Sequence, residues 1–370
     1  MKYGLKKWRL LSLFSALALI LSGCGEPFLS TLQPAGEVAQ KQYNLMILST
    51  TIMVVVIVVV AIVFILTITK FRRSKVGEDT IPKQVEGSHT LEVLWTVIPI
   101  ILLLVLAVPT VALTYDLADQ SELEEVDEEG NRTALVIDVR ANLYWWEFNY
   151  PDLGIVTAQD LVVPTDQNVY FNVIASDVKH SFWIPAVGGK IDTNVDNTNT
   201  FYLNFDGEKA AEADNLFYGK CAELCGPSHA LMDFKVQTLA PDEFDSWVTA
   251  MQEAAEEEQQ PENELAARGA EVFQEQACIA CHAVSPDDRA GTSPGPNLST
   301  FGERSRVAGI LEHDNDEEFA ENIKEWMLNA DLLKPGNQMN ETNGYNKDAL
   351  TDEDLDALTE YLMSLKVYTE

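Results

Sequence analysis

A chain of 370 residues has room for two or three domains, and its two long apolar runs exclude a simply soluble protein. The formal net charge of -33 is lopsided: up to Leu117 there are 10 Lys+Arg against 7 Asp+Glu, and beyond it 15 against 51. The C-terminal two thirds therefore repel phosphates, which excludes nucleic acid as a partner and leaves either a solvated acidic exterior or a docking field for a cationic protein.

The first elements are an export signal and two membrane spans. Lys2, Lys6, Lys7 and Arg9 precede an apolar run, Leu10–Leu21, that ends in LSGC; residues 1–23 read as a signal peptide with a cleavage site. LSGC resembles the lipobox of bacterial lipoproteins, which makes Cys24 the candidate acyl site and first mature residue. Within 24–117, spans are expected at about 45–69 and 93–113, each uncharged and long enough to cross a bilayer. The connecting loop carries Lys70, Arg72, Arg73, Lys75 and Lys83, so it belongs in the cytoplasm and both chain ends lie outside. Glu92, at the cytoplasmic start of the second span, is an ionisable group at a costly depth. His89 reads as a surface residue.

Residues 118–250 open with a charged connector, DQSELEEVDEEGN, and from about Asn131 to Val248 show short β-rich runs separated by turn residues, as in an antiparallel sandwich or barrel. An acidic linker at 251–264 is too polar to pack. Residues 265–370 read as helical, with Thr351 as an N-cap and His313 on the surface. The fold class is thus a multidomain membrane protein: a two-helix transmembrane hairpin, a β-rich domain, which the loop CAELCGPSHALM makes cupredoxin-like, and an all-α domain.

The chemistry is concentrated in two motifs, which hold four of the five cysteines and leave no scattered set for a disulfide framework. In CAELCGPSHALM, Cys225, His229 and Met232 have the character of a cupredoxin copper loop, and His180 in DVKHSFWIP is a distant partner beside aromatic and apolar residues that exclude water. Cys221 goes beyond one copper, because two thiolates can bridge two metals. A Cys221–Cys225 disulfide or a zinc site are the alternatives; the first leaves the His and Met spacing unexplained, and zinc has little use for a thioether.

HSFWIP with CAELCGPSHALM resembles subunit II of haem–copper cytochrome c oxidases and its binuclear CuA centre. The likeness runs from the first span to about Trp247 and includes LEVLWTVIPI and YWWEFNYPD. It implies that His180 and His229 are terminal copper ligands, Cys221 and Cys225 bridging thiolates, Met232 a weak ligand and Glu223 a ligand through its carbonyl. It further implies that the Glu223 side chain helps hold magnesium at the interface with subunit I, with Asp192 a further candidate there. Glu92 matches the glutamate at the mouth of a proton channel. Tyr144 stands where the family often has an electron-input tryptophan, and Trp145 and Trp146 follow it.

CIACH, Cys278–His282, is the attachment signature of c-type haem: two cysteines form thioethers and His282 binds the iron. The sixth ligand is expected to be a methionine, because a Met/His pair raises the iron potential. Met327 and Met363 lie on apolar helical faces, whereas Met339 lies in LKPGNQMN, which resembles the K-P-G-N-x-M loop of class I cytochromes c fused to such oxidases. GPNL, Gly295–Leu298, fits the loop lining the histidine side, and Tyr361 and Leu362 are expected at the haem edge.

The order of parts implies a relay from haem c to two coppers and on to an oxygen-reducing subunit I, with proton translocation in the assembly. Tethering raises the donor's local concentration to about the mM range. A soluble donor would be basic and its transfer slowed by salt, unless a quinol:cytochrome c reductase delivers directly. A CuA-type nitric oxide reductase would use a similar subunit. A quinol oxidase subunit lacks the copper ligands, and a copper-handling lipoprotein has no use for CIACH.

Overall fold

A computed structural model describes Ser12, Phe14, Ser15, Gly23 and residues 25–370, apart from 78–80, 82–83, 258–259, 262, 290–294, 341–343 and 369–370. Cys24 and most of the expected signal peptide lie outside the described residues. The chain divides into two compact units, Gln40–Asp119 and the remainder.

The smaller unit is a helical hairpin. Helix α1, Glu37–Lys70, and helix α2, His89–Leu117, are both longer than the apolar runs that mark them, because polar residues at each end continue the backbone ladder. Their outer ends are joined by Lys41 Nζ on Asp116 Oδ2 at 2.6 Å, which makes the pair antiparallel. Pro99 and Pro109 both lie within α2. Leu, Val and Ile face outward along both helices, the surface a bilayer would cover. Glu92 sits exposed in the first turn of α2.

In the larger unit, ten strands form two five-stranded sheets: β1 Leu135–Asn142, β2 Trp145–Tyr150, β3 Ile155–Ala158, β4 Asp160–Pro164, β5 Asn168–Ala175, β6 His180–Trp183, β7 Ile191–Thr193, β8 Asn199–Asn204, β9 Leu216–Cys221 and β10 Asp233–Leu239. The orders are β3-β2-β1-β5-β8 and β4-β10-β9-β6-β7. A purely antiparallel arrangement was expected, but β1–β5 and β4–β10 pair in parallel. Alternation along a strand reports which face is buried and carries no information on the direction of its neighbour. Aromatic rings fill the space between the sheets: Phe182 stacks on Phe234 at 4.9 Å, and Phe171 and Trp146 reach Phe182 from the opposite sheet at 5.5 and 5.6 Å. Gly219 pairs with Phe234, and a Cβ there would lie about 2 Å from its ring, so the ring's place depends on the glycine.

Short helix α3, Gly207–Glu212, precedes β9, and α4, Pro241–Glu256, follows β10. Helix α4 runs into the stretch expected to be a non-packing linker. Its acidic residues occupy one face while Phe244, Trp247 and Met251 are buried on the other, so net polarity hid an amphipathic period. The C-terminal region packs α5 Glu264–Glu275, α6 Asp316–Leu333 and α7 Asp352–Ser364 around one apolar core, with a two-stranded ribbon, β11 Arg306–Val307 and β12 Leu311–Glu312. Asn263, Asn315 and Thr351 each cap a helix by accepting a backbone N–H, and Asp354 completes a capping box at α7.

The sandwich and the helical region touch directly. Val156 N donates to Pro286 O at 2.6 Å, Arg289 pairs with Glu147 at 2.8 Å, and Ser228 Oγ donates to Pro335 O at 2.8 Å. Arg304 and Arg306 reach Asp160 and Asp233 at 3.7 and 3.8 Å. Three of the region's four arginines therefore face acidic residues of the sandwich. This cover explains why every residue of β3, an edge strand, is buried.

Candidate metal and haem centres

The first centre is built where β6 begins and β9 ends. Pairing of Phe182 with Cys221 brings these strands together, and Ala222 N donates to Ser181 O at 2.9 Å, so the loop after β9 starts beside His180. The loop then turns through Gly226 and a 3₁₀ turn at His229–Leu231 before entering β10, which places Met232 beneath it. Cys221 Sγ lies 3.8 Å from His180 Nδ1 and 3.9 Å from Cys225 Sγ. Cys225 Sγ in turn lies 3.6 Å from His229 Nδ1 and 4.0 Å from Met232 Sδ. The carbonyl oxygen of Glu223 is 3.3 Å from Cys221 Sγ. All six residues singled out in the sequence thus meet in one chain of contacts, and His180 and Met232 are fully buried.

The sulfur separation is far beyond the roughly 2.05 Å of a disulfide, and both thiols are free. Burial works to raise the Cys221 thiol, but hydrogen bonding to His180 and to the backbone at Glu223 and Ser181 outweighs it and pulls the group below its ordinary range. Burial and the neighbouring Cys221 push Cys225 the other way. Two adjacent thiolates are thus unfavourable without positive charge between them. Cationic metal removes that objection, and the soft S, S, N, N and thioether donors suit copper. The donor set fits a copper pair.

One functional residue escaped the sequence reading. Asp177 Oδ1 is 2.8 Å from His180 Nε2, and the carboxylate also accepts the backbone N–H of Leu143 and Val178. It holds the ring so that Nδ1 faces the sulfurs. Burial alone would raise its carboxyl, but the His180 hydrogen bond and the two amides outweigh that and hold it below the usual range. A carboxylate three residues before a candidate ligand was the available signal.

Around the centre, Trp146 donates Nε1 to Met232 O at 3.4 Å and sets its ring 6.3 Å from that of His180. Tyr144 is only 3 % exposed: its hydroxyl fills the space a Cβ at Gly226 would need. Trp145 is buried on β2 beside it. Glu223 and Asp192 flank Lys190, whose Nζ lies 3.9 and 4.0 Å from their carboxylates, and Lys179 holds Asp192 at 2.7 Å. Within this chain the cation between the two acids is a lysine, so these residues by themselves do not make a magnesium site.

The second centre follows α5. A left-handed Ala277 ends the helix, and a 3₁₀ turn at Cys278–Ala280 places His282 N on Cys278 O at 3.0 Å. His282 Nδ1 lies 2.8 Å from Pro296 O. Burial, reinforced by nearby Arg304, lowers its pKa, which favours a neutral ring that donates through Nδ1 and keeps Nε2 as a ligand. Gly295 lies so close that a Cβ would be 2.8 Å from the ring, and Asn297 pins the same loop to Ser285 O and Asp288 O at 2.7 and 2.9 Å. That cradle and tautomer fit a haem ligand.

On the other side, buried Asn337 organises the methionine loop. Its amide donates to Ala330 O and Lys334 O, each at 2.9 Å, and its Oδ1 accepts Met339 N at 2.7 Å. Met339 and Cys278 both pack on the margin of the same apolar core, which includes Leu298, Tyr361 and Leu362. Met327 is buried within that core, and Met363 packs against it. His313 is not a plain surface residue: it stacks on Phe319 at 4.0 Å and its Nε2 lies 2.8 Å from Arg304 O. Its acidic sequence neighbours point away and gave no hint of this.

The chain matches the family profiles for the transmembrane domain of cytochrome C oxidase subunit II over residues 30–113, the periplasmic domain of that subunit over 154–239, and cytochrome c over 266–366. Cytochrome c oxidase subunit 2 of Bacillus subtilis (strain 168) is 56% identical over 98% of this chain and 98% of its own length. Its counterpart in Bacillus sp. (strain PS3) is 59% identical over 99% and 100%. Among solved structures, the periplasmic domain of subunit II of cytochrome oxidase of Bradyrhizobium japonicum is 29% identical, covers 32% of this chain and 94% of that one, and has a TM-score of 0.29.

Proposed function

This chain belongs to the cytochrome c oxidase subunit II family, and from that premise we propose that it receives electrons at a covalently held haem and passes them, through a copper pair, to an oxygen-reducing subunit I. Its place in an oxidoreductase complex, membrane-anchored with an outer-face domain, follows from the family. In the finer reading the chain crosses a bacterial cell membrane twice, with both redox domains outside.

Cys278 and Cys281 would hold the haem covalently, with His282 and Met339 as axial ligands. His180, Cys221, Cys225, His229 and Met232, with the Glu223 carbonyl, would hold two coppers. When bound, these groups supply one-electron carriers; everything else is done by the chain. Asp177 orients His180. Trp146 and Met232 close the copper site to water. Pro296 keeps His282 in the ligating tautomer. Glu92 is the proposed proton-uptake residue of the assembly. Magnesium at the subunit I interface would need ligands from that subunit and would have to displace Lys190 from between Glu223 and Asp192.

The observation that carries the reading is the convergence of sequence-distant His180 with Cys221, Cys225, His229 and Met232 of one loop, in steps of 3.6–4.0 Å, within a unit that also contains the haem cradle. Detergent extraction followed by metal analysis and absorption spectroscopy tests it. Two coppers and one haem per chain are expected beside a large membrane subunit. Cys225→Ser should lose the copper chromophore and keep the haem bands. A native Cys221–Cys225 disulfide, or a copper content that Cys225→Ser leaves unchanged, would refute it.

A further inference from the structure

Between the two ligand loops runs a hydrogen bond from one side chain, Ser228. Ser228 immediately precedes His229, and Pro335 stands four residues before Met339. The Ser228 hydroxyl is fully buried and donates to Pro335 O at 2.8 Å, joining residues 107 apart in sequence. The rest of Ser228 is held as well: its carbonyl accepts Leu231 N at 2.9 Å, and its amide faces the Tyr144 oxygen. The partner loop is equally constrained. Gly336 has φ +76°, its N–H reaches Asp331 Oδ1 at 3.3 Å, and a Cβ there would lie 3.3 Å from the Tyr144 hydroxyl and 3.7 Å from Pro227.

We propose that Ser228 is the positioning residue for electron passage between the domains: its hydroxyl clamps the His229 segment to the Met339 segment and provides the shortest hydrogen-bonded link between the two ligand loops. This rests on the relay proposed above. With both groups bound, each passage would oxidise the group held by His282 and Met339 by one electron and reduce the group held by Cys221 and Cys225 by one. No bond is made or broken, and the Ser228 proton stays on its oxygen. The ion pairs Arg289–Glu147, Arg304–Asp160 and Arg306–Asp233 hold the faces together; Asp233 follows Met232 in sequence, but none of the three arginines lies in the Met339 loop. Ser228 alone among these contacts ties a copper-side ligand loop to the loop that carries Met339.

The test uses the whole oxidase complex carrying Ser228→Ala or Ser228→Thr. Photoreduction of the haem with a ruthenium complex, followed at the copper absorption band, reads the internal transfer. Amide hydrogen exchange at 226–231 and 335–339 reads the clamp itself. Ser228→Ala should slow transfer at least about fivefold, the factor one hydrogen bond lends to a closed contact, and raise exchange on both loops by a similar factor. Copper and haem spectra should stay unchanged, and Ser228→Thr should restore both readouts. Transfer and exchange in Ser228→Ala equal to wild type would overturn the assignment of Ser228 and leave the relay intact. No haem-to-copper transfer in the wild type would overturn the relay itself, and the clamp's role with it.

Discussion

A single carboxylate governs the copper side. Asp177 takes three hydrogen bonds, from the His180 ring and from the amides of Leu143 and Val178, which freeze the imidazole before any metal arrives. Removing such an outer partner typically costs 10–100-fold in metal affinity. Asp177→Asn keeps the shape and loses the charge, so copper affinity measured by competition with a chelator should fall roughly 10–100-fold while the haem spectrum does not change. An affinity equal to wild type would mean that the ring is held by packing alone. The candidate ligands stand out by residue type and spacing because a soft-metal site favours Cys, His and Met. Asp177 stands out only by lying three residues before His180, since an aspartate in a β-rich region is usually a turn residue and the fold shows which atom it faces.

At the scale of elements, the acidic sandwich and the helical region meet through complementary charge. Arg289 is 43 % exposed on its side chain, whereas Glu147 is 8 % exposed and has its carboxyl raised by burial despite Arg289 and Arg140. Cutting that pair leaves a carboxylate with one weaker partner, Arg140 at 3.6 Å. Arg289→Ala should weaken the contact by about 1–2 kcal/mol, less than a fully buried pair because solvent screens the arginine. The gauge is hydrogen exchange at the Val156 amide, which donates across the contact to Pro286 O. An unchanged Val156 rate would show that β3 is protected by its sheet neighbour alone. The tether expected from the sequence accounts for local concentration, but these contacts go further and seat the helical region on the sandwich.

For the whole molecule, two buried lysines set a signed pH dependence. Burial, and for Lys235 also nearby Arg306, pushes Lys235 and Lys334 down to about 8. Between about pH 8 and the ordinary lysine value of 10.5, the unfolded chain binds more protons than the folded one, so stability rises with pH. Below about pH 8 the folded chain carries both charges and the full penalty. Each lysine adds at most about 1.4 kcal/mol per pH unit within the window. The urea midpoint of the detergent-solubilised chain, followed by tryptophan fluorescence, should therefore increase from pH 8 to about 9.5, below the range where tyrosines ionise. A flat or falling midpoint would contradict the burial of these amines. Lys334→Met should reduce the slope.

Residue chemistry and local period were enough to determine the two long apolar helices, the β-rich and helical regions, the residues that gather around Cys221 and Cys225, and the CIACH motif. Each depends on a short-range rule: apolar length, alternation, ligand spacing. The parallel pairing of β1 with β5 and of β4 with β10, the Asp177–His180 bond, the burial of α4, the stacking of His313 and the Ser228–Pro335 link depended on the tertiary structure. They join atoms far apart in the chain or on faces whose partners no local pattern encodes. Free energy for such contacts comes from desolvation and geometry, which exist only once the chain has folded.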